Sequence, residues 1–96
     1  MSLKDLTSSS AVRKALLEFK RLGRDEFLRA HEFGRARHYF VEFEGELCDS
    51  KAIAGVAHGY QFPDQGALRS RDFSGGEATV RRKLDSLGFP VQVRGR

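Results

Sequence analysis

Two sets of residues in this chain have the types and spacing to hold a polyanion. Thr79, Arg82, Lys83 and Ser86 stand at i, i+3, i+4 and i+7, so on a helix they form one basic, hydrogen-bonding stripe. Just upstream, Ser74, Gly75 and Gly76 leave first-turn amides uncrowded, where the helix dipole favours an anion such as phosphate. The second set is Lys51 and His58, two helical turns apart with Ala54 and Gly55 between them on the same face. Small residues flanked by cations let a phosphate backbone come close. A glycine in mid-helix costs roughly 1 kcal/mol against alanine, so Gly55 serves either that approach or the close packing of another helix. Arg35, Arg37 and His38 in one connector, and Arg69 and Arg71 in another, are placed to border the same surface. Arginine is the side chain best suited to phosphate and guanine. Plainer readings stand beside these. Ser74 to Glu77 is also a simple helix start, Arg82 and Lys83 a solvated face, and Glu77 a negative charge where phosphate would sit.

Catalytic chemistry has little to work with. His31, His38 and His58 are not at metal-ligand spacing from a cysteine or carboxylate. Cys48 has no activating base beside it, and a small residue at a strand end usually belongs to the core. Ser74-Gly75-Gly76-Glu77 lacks the Gly-Lys-Ser/Thr of a phosphate-binding Walker loop. No catalytic residue, metal ligand or cofactor is expected.

The elements that must position these residues read in order as α-α-β-β-α-α-β, a small α+β domain with a short antiparallel sheet packed by four helices. Met1 to Ser9 reads as a loose lead-in. Ser10 caps a first helix to about Leu22, with Val12, Ala15, Leu16, Phe19 and Leu22 on one face, and Gly23 ends it. Asp25 caps a second helix from Glu26 to about Glu32 that buries Phe27 and Leu28, with Phe33 just after it and Gly34 as its stop. Tyr39, Val41 and Phe43 alternate as a strand, Glu44-Gly45 forms a tight hairpin tip, and Glu46-Leu47-Cys48 returns. Asp49 or Ser50 caps a third helix, Lys51 to about His58, with Ile53, Val56, Ala57 and Tyr60 facing inward. Asp64 to Arg71 is a polar loop anchored by Leu68. Ser74 and Glu77 have capping-box spacing for a fourth helix whose apolar face is Val80, Leu84 and Leu87. Gly88 suits a left-handed stop, Phe89 packs back beside Leu84, and Pro90 to Arg94 is a last strand joining the hairpin.

Ninety-six residues make one domain, 1–96. Hydrophobic content of 40% and eight phenylalanines argue for a packed core built around Phe. Seventeen lysines and arginines against thirteen acids give net +4, which permits a nucleic-acid partner without requiring one. Cys48 is the only cysteine, so no internal disulfide forms and a reducing compartment fits. There is no signal peptide and no apolar run near the roughly twenty residues of a membrane span, so a soluble, cytoplasmic protein without a membrane partner is expected. The basic Gly95-Arg96 directly after the last strand reads as the start of a linker, making the chain the front piece of a longer protein.

Several of these runs together resemble one family. Leu22-Gly23-Arg24-Asp25, Gly34-Arg35-Ala36-Arg37, Asp49 to Gly59, Asp72 to Glu77 and Leu87-Gly88-Phe89 are similar to the N-terminal head domain of ScoMcrA-like, modification-dependent (type IV) HNH restriction endonucleases. The resemblance covers nearly the whole chain. It implies a bacterial restriction enzyme in which the head precedes modules that recognise modified DNA and a C-terminal HNH nuclease, none of which is in this chain. The head is also distantly similar to the DNA sulfur-binding domain, where a Tyr-Pro pair before the Lys-Ala-Ile-type helix helps form an apolar cavity for phosphorothioate sulfur. Here that place reads Cys48-Asp49-Ser50-Lys51. Tyrosine and proline are missing, and Asp49 would repel a phosphorothioate.

Residues and resemblance together lead to a DNA-binding module that contacts the backbone of double-stranded DNA and senses a modified base or phosphorothioate if the DNA carries one. Lys51, His58, Arg82 and Lys83 are the expected phosphate contacts, with Arg35 and Arg37 at the edge. Thr79 adds a hydroxyl, and Ser74, Gly75 and Gly76 add backbone donors. The alternative is a non-catalytic interaction module that docks against the rest of the endonuclease or pairs it into a homodimer. An exposed apolar patch around Leu17 and Phe40 would favour that alternative.

Overall fold

A computed structural model describes residues 2–73 and 76–94. Its elements are α1 (Ser9–Leu22), α2 (Arg24–His31), β1 (Tyr39–Phe43), β2 (Glu46–Asp49), α3 (Ser50–Gln61), α4 (Gly76–Ser86) and β3 (Val91–Val93). Single 3-10 turns, Leu3–Asp5 and Ser70–Asp72, precede α1 and α4. The sheet order is β2-β1-β3, antiparallel throughout, so the last strand joins the hairpin as expected. Four helices and a three-stranded antiparallel sheet make this an α+β domain.

α3 is the hub. It packs along α1 and touches α2, α4 and two of the strands. The core around it is aromatic and aliphatic: Phe19 and Phe27 meet at 5.0 Å between ring centroids, and Leu16, Ile53, Val80 and Leu84 are fully buried. The helical faces follow from apolar spacing, since a stripe repeating at three and four residues must turn inward. Val12, Ala15, Leu16 and Phe19 of α1 are buried, and Leu22 packs at the rim.

The tight turn at Glu44-Gly45 has both φ values positive, 51° and 83°, which matches the twist of the flanking strands. Gly88, at φ 92°, closes α4. The Gly88 amide donates to the Asp85 carbonyl at 3.1 Å and the Phe89 amide to the Leu84 carbonyl at 2.9 Å, so the left-handed stop is realised in full.

Several boundaries differ from the sequence-based expectations. The lead-in is not loose: Leu3 and Leu6 are buried, and the Gln61 side chain at the end of α3 accepts the Thr7 and Ser8 amides at 2.8 and 3.0 Å. Ser8, not Ser10, caps α1, because the first serine of the run has its hydroxyl 3.1 Å from the Ala11 amide. α2 starts at Arg24 without a side-chain cap, because Gly23 at φ 86° both ends α1 and opens α2. Its stop is Glu32, left-handed at φ 60°, not Gly34; the Phe33 amide closes onto the Leu28 carbonyl at 2.9 Å and turns Phe33 into the core. Tyr60 is exposed rather than inward, and Phe40 is buried beneath the Arg24 guanidinium, 5.7 Å from its ring centroid. The capping box expected at Ser74 lies outside the described residues.

The largest correction concerns the outer face of α3. Ala54, Gly55 and His58 are all buried. The loop after α3 folds back over them, and the Leu68 amide donates to the Gly55 carbonyl at 3.0 Å. A Cβ on Gly55 would stand 2.7 Å from both the Leu68 carbonyl oxygen and Phe33 Cζ, and one on Gly59 would stand 2.6 Å from the Ala67 nitrogen. The small residues serve internal packing, so the close approach they permit is that of their own chain.

Candidate nucleic-acid interface

β2 runs directly into α3, and the junction residue Asp49 decides the character of the helix start. Asp49 occupies the N-cap position, yet its side chain caps nothing. Its Oδ1 accepts from Arg24 Nε at 2.9 Å, and its Oδ2 accepts from Arg24 Nη2 at 2.9 Å and from the Ala36 amide at 2.7 Å. Arg24 Nη2 also donates to the Ala36 carbonyl at 3.1 Å. The connector between α2 and β1 is thereby fastened beside the start of α3. Hydrogen bonding to Asp49 raises the Arg24 pKa above its ordinary value in spite of partial burial. With the carboxylate drawn away, the first turn of α3 keeps its dipole and has no side-chain cap among the described residues.

A cleft of about 160 Å³ opens at that helix start. Phe33, Gly34, Arg35 and Ala36 form one wall, Ser50, Lys51 and Ala52 another, and Ser70 and Glu77 line the rest. Asp49 lines it too, but only 1% exposed and neutralised by Arg24, so it does not act as the repelling charge expected from sequence.

The structure brings some of the expected site residues together here and leaves others elsewhere. Lys51 and Arg35 both line the cleft. The Lys51 ammonium lies 5.2 Å from the centroid of the Phe73 ring, which orients it without neutralising it. Arg35 is exposed and pairs with Asp25. Arg37 is exposed and has no ion pair or hydrogen bond among the described residues. Gly76 opens α4 at φ 78°, while Ser74 and Gly75 lie outside the described residues. Thr79 is half-buried, and Arg82 is exposed on α4 without an ion pair among the described residues. Lys83 turns toward the first 3-10 turn, where its ammonium donates to the Lys4 carbonyl at 3.1 Å.

His58 sits apart from the cleft. It is 1% exposed, with Nδ1 3.4 Å from the Gly66 carbonyl, its ring 4.9 Å from Phe62, and Nε2 without a partner among the described residues. A residue enclosed in this way does not meet a nucleic acid.

Sequence reasoning did not place Ser70 and Glu77 on the same cleft as Lys51. The only signal for them was position, just before and just inside the fourth helix. Arg71, next to Ser70, is exposed and unpaired among the described residues, whereas Arg69 is held by Glu32 at 2.6 Å.

The cysteine next to this cleft is not an activated nucleophile. Burial, with the nearby charges of Glu46 and Asp49, pushes the Cys48 thiol up to about 12, so it stays protonated near neutrality. Among the described residues no group of three or more His, Cys, Asp or Glu side chains is placed to hold a metal ion, and no helix is long and apolar enough to cross a membrane.

Residues 4–93 match the family model described as the ScoMcrA-like, N-terminal head domain. No curated protein and no solved structure matches the chain.

Proposed function

The chain belongs to the ScoMcrA-like N-terminal head domains, and from that membership we propose that it is a non-catalytic, DNA-contacting module of a modification-dependent restriction endonuclease. Its partners in this reading are double-stranded DNA and the other domains of the parent protein. The observation that carries the reading is the start of α3: a first turn without a side-chain cap among the described residues, with Lys51 and Arg35 on one cleft, while Asp49 is occupied by Arg24. A phosphate suits it on three counts: the dipole, the backbone donors and an unneutralised ammonium. In this reading Arg37 and Arg71, next in sequence to the lining residues Ala36 and Ser70, add positive charge at the border of the cleft. Arg82 and Lys83 are on α4, and Lys83 is already engaged, so these two contribute long-range charge more than direct contact. His58 supports the α3 face from inside.

The test is a fluorescence-anisotropy titration against four short duplexes: unmodified, cytosine-methylated, hydroxymethylated and phosphorothioated, each at low and moderate salt. Lys51→Ala combined with Arg37→Ala weakens binding and flattens its salt dependence, the logarithmic slope falling by about 0.9 for each phosphate no longer neutralised. A preference for one duplex, abolished by the double substitution, identifies a modification reader. Equal, salt-sensitive binding to all four identifies a backbone clamp. Absence of binding at low salt removes DNA contact from the isolated domain.

A further inference from the structure

The only two large apolar side chains strongly exposed among the described residues, Leu17 at 44% and Tyr60 at 38%, line the same groove. It lies at the other end of α3 from the DNA-contact cleft: Lys51 and Tyr60 are nine residues apart, roughly 13 Å along the helix axis. Two adjoining depressions of about 260 and 290 Å³ form it, sharing Glu18 and Tyr60. One is bordered by Lys14, Leu17 and Arg21, spaced three and four residues apart on the outward stripe of α1. The other has a floor of Val56, Gly59 and Ala67, small and apolar.

The polar groups inside the groove are already satisfied. Glu18 accepts from the Tyr60 hydroxyl at 2.5 Å and meets His31 Nε2 at 2.7 Å. That fixes the Tyr60 ring as a rigid wall and leaves the Glu18 carboxylate with little capacity for a ligand. The rim differs. Lys14 and Arg21 have neither an ion pair nor a hydrogen bond among the described residues, although Arg21 lies near enough for Glu18 to sense its charge. Exposed aromatic and aliphatic anchors between unneutralised cations form a surface complementary to an acidic, apolar-bearing chain.

We propose that this α1–α3 groove is a docking site for an acidic peptide segment that inserts apolar side chains against Leu17 and Tyr60 and sets its carboxylates on Lys14 and Arg21. A nucleic-acid strand fits it less well, because Leu17 and the apolar floor of Val56, Gly59 and Ala67 offer nothing to a phosphate. The site is independent of the DNA-contact reading and survives that reading's failure.

The experiment is selection of a random 16-residue peptide display library on the intact domain, followed by titration of the enriched peptides. Enriched sequences should pair acidic with apolar residues. Their affinity should fall about tenfold or more for Leu17→Ser and for Lys14→Glu/Arg21→Glu, the effect expected when a central anchor or a rim charge is removed. All three positions are exposed, so the variants keep the fold, which thermal melting checks. Leu17→Ser should leave duplex-DNA binding unchanged. Failure to enrich, enriched peptides without acidic residues, or affinities indifferent to both variants overturn the proposal. Two further results also overturn it: an oligo(dT) strand whose binding is abolished in these variants, or sedimentation showing that the domain self-associates through Leu17.

Discussion

Arg24 and Asp49 meet in a two-point ion pair, Nε to Oδ1 and Nη2 to Oδ2, both at 2.9 Å, with the carboxylate buried and the guanidinium partly open to solvent. The pair joins the start of α2 to the junction of β2 and α3, and Asp49 extends it by a bond to the Ala36 amide at 2.7 Å. Removing Arg24 leaves Asp49 buried and charged, which typically costs about 3 kcal/mol. Arg24→Ala should therefore lower the urea midpoint markedly, and Asp49→Asn combined with Arg24→Ala should recover part of the deficit. A change within about 0.5 kcal/mol for Arg24→Ala, a size usual for surface sites, would show that the pair has no structural role.

The covering loop imposes a second expectation. Alanine at Gly55 or Gly59 gains helix propensity of about 1 kcal/mol. It also drives a Cβ to 2.7 Å from the Leu68 carbonyl oxygen or to 2.6 Å from the Ala67 nitrogen, both backbone atoms. Overpacking of this kind costs about 1–3 kcal/mol, so both substitutions should destabilise. Gly34→Ala is the control: nothing lies within 4 Å and its φ is not left-handed, so it should be neutral or slightly stabilising. Chemical denaturation of the three variants separates the cases.

Stability should fall at both extremes of pH for traceable reasons. The hydrogen bond to Glu18, aided by burial, pushes the Tyr60 hydroxyl from 10.0 up to about 12, and burial pushes Cys48 from 9.0 up to about 12. Raised values mean that the protonated groups favour the folded state. Their contribution is complete below about pH 9 and disappears as pH climbs toward 12. For Glu18, burial acts to raise the pKa, but the bonds from His31 and Tyr60 and the charge of His31 outweigh it and hold the carboxyl below 4.5. Its contribution is present above pH 4.5 and disappears as pH falls through the lowered value. Tyr60→Phe combined with Cys48→Ala should flatten the alkaline limb of a stability profile, while Glu18→Gln flattens the acid limb. An unchanged alkaline limb in the double variant would refute the assignment.

Glu77 provides a sign test for the α3 cleft. It is an exposed carboxylate on the same cleft as Lys51 and Arg35. If a phosphate is held there, Glu77→Gln should tighten duplex binding several-fold at low salt, with the gain shrinking as salt screens it. Lys51→Ala should act in the opposite direction. Equal affinities for Glu77→Gln and the unaltered protein would place the DNA elsewhere.

Much of the fold was legible in the sequence because its signals are local. The α1 stripe from Val12 to Phe19, the Glu44-Gly45 tip and the Gly88 stop each need only neighbours within a few residues. What escaped depends on distant partners. Ala54, Gly55 and His58 carry the same pattern whether a solvated phosphate or a returning loop lies over them, and only the fold shows Leu68 there. Asp49 looks like a cap from its position, yet its carboxylate is claimed by Arg24, twenty-five residues earlier. Ser8 and Ser10 are chemically equal caps, so backbone geometry chose between them. Of the candidate site, Lys51 and Arg35 emerged by type and position, whereas Ser70 and Glu77 joined them only through the packing of the turn before α4.

Val41 pairs with Cys48 on one side and with Val91 on the other, so the middle strand of the sheet waits for the last one. A ribosome adding roughly 5–20 residues per second needs about 2–9 s to go from Asp49, where the hairpin is complete, to Val93. For that interval the nascent hairpin presents an open edge with Phe40 and Val41 on it, a template for pairing with another chain. Overexpression at slow translation rates should therefore favour aggregation of the unfinished chain, and supplying the Pro90–Arg94 segment in trans should relieve it.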